Sequence, residues 1–289
     1  MRVSVSALLQ DARRRGYAVP GFNTLNVETA WGIVRAAEKL DIPILLMTAY
    51  DCLDHLGMET AYGALEVLAR QSATPVALHL DHGRNLEEVA LALKLGYDSV
   101  MIDYSFLPYE ENLARTAEAV RMAHAFHTPI EAEIGHVPGG ENTPEEEDES
   151  ALAYTDPKVA ADFVEKTGVD FLAVSIGTVH GDYKSKPRLR IDLLKEIARA
   201  VPLPLVLHGG SSTPWEQMEE AVQNGVAKIN VGTEIMRAFL QGMREVPTDC
   251  LDLRKPLLAG REKIEDVVRA KAENFRTLRH AKGWRPDRA

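Results

Sequence analysis

Three of the nine histidines in this chain of 289 residues stand where short apolar runs end: His82, His180 and His208. They are 98 and 28 residues apart, so only a fold can join them. Three imidazoles with one position left open are the ligand set of a catalytic zinc. One histidine in such a place is usually a hydrogen-bonded structural residue, but three in corresponding places argue for a shared ion. Asp81 precedes His82 directly. A carboxylate there either moves a proton on a substrate hydroxyl or orients a histidine. Asp103 and Glu133 also follow apolar runs, where they either hold a second cation or hydrogen-bond the rim. His55, His124, His127 and His280 read as surface residues and His79 as packing, while His136 is open to either reading.

A second chemistry lies in the small residues. Gly177, Gly181, Gly209 and Gly210, with Ser211 and Thr233, could cradle a phosphate: glycines let backbone N–H groups approach an anion, and hydroxyls add donors. A plain turn is the competing reading of Gly209-Gly210-Ser211-Ser212. Its place beside His208 favours the cradle.

These residues need elements to position them. Eight apolar runs recur, at 18–22, 44–47, 76–80, 99–102, 130–134, 171–176, 205–207 and 228–231. Most are rich in Val, Ile and Leu without clean alternation, as strands buried on both faces should be. Segments with helical spacing lie between them, such as Val27, Ala30, Trp31, Val34 and Ala37. Gly16, Gly96, Gly168 and Gly225, or Pro43, Pro75, Pro129 and Pro204, stand before the runs and end the preceding helices. Thr213 and Pro214 read as the N-cap and first turn of a later helix. Eight strand–helix units argue for an α/β fold, a closed (β/α)8 TIM barrel, over an open doubly wound sheet. We read residues 1–289 as one domain, with 255–289 as an extra C-terminal helical extension whose helix spans 262–278 and packs on the outside of the barrel. Residues 135–154 read as a long mobile loop, its acidic run at 145–149 solvated.

In such a barrel chemistry lies at the C-terminal ends of the strands. The exits in order offer Asn23, Thr48, Asp81-His82, Asp103, Glu133, the 176–181 segment with His180, His208 with the following glycines, and Asn230 to Thr233.

Composition bounds the function. Hydrophobic residues are 45% and charged residues 26%, the balance of a globular protein and not of a disordered one. No apolar run approaches the ~18 residues of a membrane span. The first residues lack the uninterrupted apolar core of a secretory signal. Lysines and arginines number 33 against 43 acidic residues, a net charge of −10 that disfavours nucleic acid. Two cysteines, Cys52 and Cys250, make neither a disulfide framework nor a thiolate cluster, so a reducing cytoplasm is expected.

The ordered motifs resemble those of the class II, metal-dependent fructose- or tagatose-bisphosphate aldolases over nearly the whole chain. They are Gly-Phe-Asn at 21–23, Leu-His-Leu-Asp-His-Gly at 78–83, Ser-Val-Met-Ile-Asp at 99–103 and Glu-Ala-Glu-Ile-Gly at 131–135. Ala-Val-Ser-Ile-Gly-Thr-Val-His-Gly at 173–181, Leu-Val-Leu-His-Gly-Gly-Ser at 205–211 and Lys-Ile-Asn-Val at 228–231 complete the series. The resemblance implies reversible cleavage of a phosphorylated ketose to dihydroxyacetone phosphate and an aldehyde through a zinc-stabilised enediolate. It implies that His82, His180 and His208 bind zinc and that Asp81 takes the C4 hydroxyl proton. Asn23 and Asn230 would orient the ketose. Gly181, Gly209, Gly210, Ser211, Gly232 and Thr233 would hold its phosphate or line its binding site, and Asp103 and Glu133 would match a second or monovalent cation site. A homodimer or homotetramer is implied as well.

The sequence departs from the family in places. A Gly-Gly-x-Glu-Asp loop, whose carboxylate handles the C3 proton, is replaced by Gly139-Gly140-Glu141-Asn142-Thr143. Glu141, one place early, is the nearest acid/base candidate, with 145–149 as substitutes. Ser212 and Gly232 also differ, and Asp-His-Gly-Arg at 81–84 points toward other sugar or sugar-acid phosphates. The expected substrate is tagatose- or fructose-1,6-bisphosphate or a related sugar or sugar-acid 1-phosphate. Two alternatives stand beside this: a non-catalytic metal- and phosphosugar-binding barrel that has lost its loop base, and a zinc hydrolase.

Overall fold

The computed structural model describes residues 1–138, 153–181, 188–211 and 213–286. Eight parallel strands close on themselves: β1 (Val19–Asn23), β2 (Ile44–Thr48), β3 (Val76–Gly83), β4 (Ser99–Ile102), β5 (Ile130–Ile134), β6 (Phe171–Val174), β7 (Leu205–Leu207) and β8 (Val226–Val231), with β8 pairing back to β1. All eight expected strands are present, with ends shifted by up to three residues. The sixth stops at Val174, so Ser175 and Ile176 already belong to its loop.

Alternation along the strands divides the core in two. Leu46, Leu78, Leu80, Val100, Ile102, Ala132, Leu172, Ile229 and Val231 face the surrounding helices. Leu45, Met47, Ala77, Met101, Phe171, Ala173 and Val206 fill the barrel, and Val5, Leu8 and Leu9 of α1 (Val5–Arg15) plug its lower end. Toward the strand ends the same inward parity becomes largely polar, with Met47 level with His79 and Met101 level with Glu131. It carries His79 and Asp81, Ser99, Glu131 and Glu133, Lys228 and Asn230. The barrel therefore changes from apolar to ionic toward the strand ends, where the loops open.

The outer helices follow in order: α2 (Val27–Leu40), α3 (Tyr50–Leu56), α4 (Met58–Gln71), α5 (Leu86–Leu95), α6 (Tyr109–Ala125), α7 (Pro157–Thr167), α8 (Ile191–Ala200), α9 (Trp215–Gln223) and α10 (Thr233–Arg244). Gly16, Gly96 and Gly168 close α1, α5 and α7 in the left-handed conformation, as expected. Thr213 is not the side-chain cap of α9. Its hydroxyl donates to the carbonyl of Gly209, and the helix begins at Trp215.

The C-terminal helix differs from expectation at both ends. It is α11 (Arg254–Asn274), followed after a break by the short α12 (Thr277–His280). Pro256 falls in the first turn of α11, where its missing N–H costs no hydrogen bond. The break comes at Arg276, left-handed at φ 62°, whose guanidinium donates to the Gly16 carbonyl. Helix α11 packs on α10 and α2. It lies close enough to α10 that a Cβ on Gly242 would meet the Ala259 carbonyl at 2.3 Å and one on Gly260 the Phe239 ring at 2.6 Å. No described helix is long and apolar enough to cross a membrane.

Candidate functional site

The three histidines meet at the mouth of the barrel. Their ring centroids lie 5.1 Å (His82–His180), 4.5 Å (His82–His208) and 5.7 Å (His180–His208) apart, each pair edge to face. One ring nitrogen from each lies within 4.8 Å of the others. Strict alternation would turn His82 outward, since Asp81 beside it faces in. The backbone resolves the conflict: His82 has φ 48°, and the β3–β4 pairing shifts register between Leu80 and Gly83. That left-handed residue, unusual outside glycine, brings both side chains to the barrel mouth.

Carboxylates fix the rings. Nδ1 of His82 lies 2.8 Å from Asp103 and Nε2 of His208 2.9 Å from Glu131. This leaves Nε2 of His82 and Nδ1 of His208, 2.7 Å apart, turned toward the common point. Nε2 of His180 is buried and has no hydrogen-bond partner. Burial, and then the nearby His82, pushes both His180 and His208 below the usual imidazole range. Ring nitrogens aimed at one point, one of them orphaned and two of the three rings braced by carboxylates from behind, fit a divalent ion with an open position.

Asp81 is held by two amides. Nδ2 of Asn23 donates to one carboxylate oxygen at 2.9 Å and Nδ2 of Asn230 to the other at 2.8 Å. Burial alone would push the carboxyl up, but His82, His208 and Lys228 outweigh it and hold Asp81 well below the usual carboxylate range. The carbonyl oxygens of both asparagines are buried and unpartnered. A second group, His82, Asp103 and Glu133, also has ligand atoms within 4.8 Å. Burial and then the neighbouring Asp103 push Glu133 up to about 8, and its Oε2 has no hydrogen-bond partner but lies 3.9 Å from Nδ1 of His208.

Several residues of this site escaped the sequence reading. Below the histidines Lys228 pairs with Glu131 at 2.9 Å, both fully buried, and lies 3.4 Å from Nε2 of His79. Nδ1 of His79 lies 2.7 Å from the Ser99 hydroxyl. His79 is thus a member of an ionic layer and not simple packing. Counting two residues back from Glu133 and Asn230 would have found Glu131 and Lys228. Thr48 faces outward, bonded to the Tyr97 hydroxyl. From this exit it is Tyr50 and Asp51 that reach the cavity.

That cavity, about 220 Å³, is lined by Asn23, Tyr50, Asp51, Asp81, His180, Gly209, Ser211, Asn230, Gly232, Thr233 and Met236. Gly232 and Thr233 open α10, whose N-terminal dipole favours an anion. Ser211 accepts from the Glu234 N–H across the same corner. Gly210 does not line the cavity. Its N–H donates to the Asn230 carbonyl, and a Cβ there would meet Ile229 at 2.4 Å, so its part is close packing. Lys271 of α11 bonds the Gly210 carbonyl and Glu234, bracing the corner from behind. Gly181, at φ 75°, is likewise not among the lining residues, and a Cβ on Gly177 would meet the Arg188 carbonyl at 2.6 Å. Glu141, the 145–149 run and Ser212 lie outside the described residues.

Residues 3–279 match the family described as fructose-bisphosphate aldolase class-II. The YdjI aldolase of Escherichia coli K12 is 32% identical, with a TM-score of 0.87 over 97% of this chain and 100% of that one. A protein of Coccidioides immitis described as a candidate fructose-1,6-biphosphate aldolase is 29% identical, with a TM-score of 0.87 over 95% and 96%. The fructose-bisphosphate aldolase of Campylobacter jejuni shares the fold at 23% identity, with a TM-score of 0.82 over 96% and 97%.

Proposed function

The chain belongs to the class II fructose-bisphosphate aldolase family, and on that footing we propose that it is a zinc-dependent aldolase cleaving a phosphorylated ketose reversibly to dihydroxyacetone phosphate and an aldehyde. His82, His180 and His208 would hold the zinc. Bound there, zinc supplies an electrophile for the ketone oxygen and so accommodates the charge that C–C cleavage leaves.

The remaining work falls to the chain's own groups. Asp81, kept ionised and clamped by Asn23 and Asn230, takes the proton of the C4 hydroxyl. As that proton leaves, the C3–C4 bond breaks, the C4 oxygen becomes the aldehyde carbonyl, and the electron pair stays with the ketose half. A proton returned to C3 completes the balance, and Glu141 is our candidate for supplying it. The corner of Gly209, Ser211, Gly232 and Thr233 at the start of α10 would take the phosphate. Asp103 and Glu133 fix the histidine side and offer a place for a second cation.

One observation carries this reading: three imidazole nitrogens share a point beside a clamped carboxylate and a helix N-terminus. We place the enzyme in the cytoplasm, where the unpaired Cys52 and Cys250 are stable, and expect a homodimer or homotetramer by light scattering. The test is exchange of the C3 proton of dihydroxyacetone phosphate with solvent, followed by NMR in the zinc-loaded protein. Exchange in the native protein, with loss of both zinc and exchange in His208→Ala, is the expected result. Zinc binding without exchange or cleavage would favour the non-catalytic barrel, and release of inorganic phosphate without C–C cleavage the hydrolase.

A further inference from the structure

The cavity has two chemically different ends. At β7 and β8 it offers a helix N-terminus, glycines and the hydroxyls of Ser211 and Thr233. Across β1, at the exit of β2, it offers Tyr50 and Asp51, beside the β3 exit that carries Asp81. If Asp81 takes the C4 proton, the part of the substrate beyond C4 extends over this second end.

That end is acidic. Among the described residues lining the cavity there is no lysine or arginine. Arg84, which follows β3, is committed to Asp54 and to Glu88. Asp51 keeps one oxygen on the N–H of Cys52, in its own helix. Burial pushes the Asp51 carboxyl up, and Asp81 adds to that push, so the two acids lie within each other's field. A phosphate or carboxylate placed here would meet two like charges and no described cation. A hydroxyl would meet an acceptor that can only accept.

We propose, resting on the aldolase reading above, that the aldehyde half of the substrate is an uncharged polyhydroxylated chain whose hydroxyls are read by Asp51, and that the phosphate of the ketose half is the one anionic group the site takes. The substrate is then a ketose monophosphate and not a bisphosphate. Asp51 acts as a filter: it bonds sugar hydroxyls and repels an aldehyde that ends in an anion.

The experiment is condensation by the zinc-loaded full chain, with dihydroxyacetone phosphate as donor and D-glyceraldehyde or D-glyceraldehyde 3-phosphate as acceptor. The native protein should favour the neutral aldehyde in kcat/KM by about tenfold or more, and Asp51→Asn should shrink that ratio by about tenfold. A native preference for the phosphorylated aldehyde overturns the inference without any variant, and an unchanged ratio in Asp51→Asn removes Asp51 from it. C3 proton exchange of dihydroxyacetone phosphate needs no aldehyde. Exchange with the wrong aldehyde preference therefore defeats this inference alone, whereas absent exchange defeats the aldolase reading and this inference with it.

Discussion

At the scale of single residues, the division of labour between His82 and its neighbour Asp81 is the sharpest feature. The two are adjacent in sequence, yet His82 is braced by Asp103 and Asp81 by two asparagine amides. Their functions should therefore separate. Asp81→Ala is expected to keep zinc at native stoichiometry, because no ring loses its carboxylate. It should lose cleavage by about 10²–10⁴-fold, the usual worth of a positioned general base. Zinc content and cleavage rate measured on the same sample decide this, and undiminished turnover would remove Asp81 from the mechanism. The three histidines were legible because each ends an apolar run. The means of their meeting was not, since nothing in Asp-His-Gly announces the left-handed backbone at His82. Glu131 and Lys228 were overlooked for another reason: they stand within the runs at 130–134 and 228–231 and not at their exits, and only the closed barrel gives each its buried partner.

At the scale of elements, the strands were readable because burial on both faces leaves a run of Val, Ile and Leu between glycine or proline stops. The C-terminal helix was not. Its true start carries Pro256, which looks like a boundary but fits a first turn, and its end at Phe275 and Arg276 contains neither glycine nor proline. Glycines in the strand-to-helix corners divide in a way the sequence does not mark. Gly210 is wedged against Ile229 and the Asn230 carbonyl, whereas a Cβ on Gly232 would meet Asn23 only at 3.6 Å. Gly210→Ala should thus cost about 1–3 kcal/mol as an overpacked substitution, and Gly232→Ala should stay within about 0.5 kcal/mol. Urea unfolding of both variants checks the contrast, and equal stabilities would mean that β7 and β8 do not approach as closely as described.

At the scale of the whole molecule, the barrel is a column with an apolar floor, an ionic middle and a mouth where three histidines meet, and the middle layer makes stability depend on pH. Burial first, and then Lys228, lowers His79 to about 3 from the free value of 6.5. A base depressed on folding contributes fully above pH 6.5 and loses that contribution as pH falls toward 3. Glu131 acts in the same direction over a lower range. Burial pushes it up, but Lys228 and His208 outweigh that and hold it at about 2 against a free value of 4.5, so its contribution is lost between pH 4.5 and 2. Glu133 runs the other way: raised to about 8, it contributes fully below pH 4.5 and loses its part as pH rises through 8. With chelator present, to remove metal linkage, the acid limb below pH 6.5 should carry one proton from His79, about 1.4 kcal/mol per pH unit. His79→Gln keeps groups able to bond Ser99 and Lys228 but cannot titrate. Its stability between pH 6.5 and 4 should fall less steeply than that of the native protein by that one-proton slope, as followed by urea unfolding at successive pH values. Parallel curves for the two proteins would show that His79 already carries its proton in the fold, and the ionic layer would then have to be rebuilt around a charged imidazole.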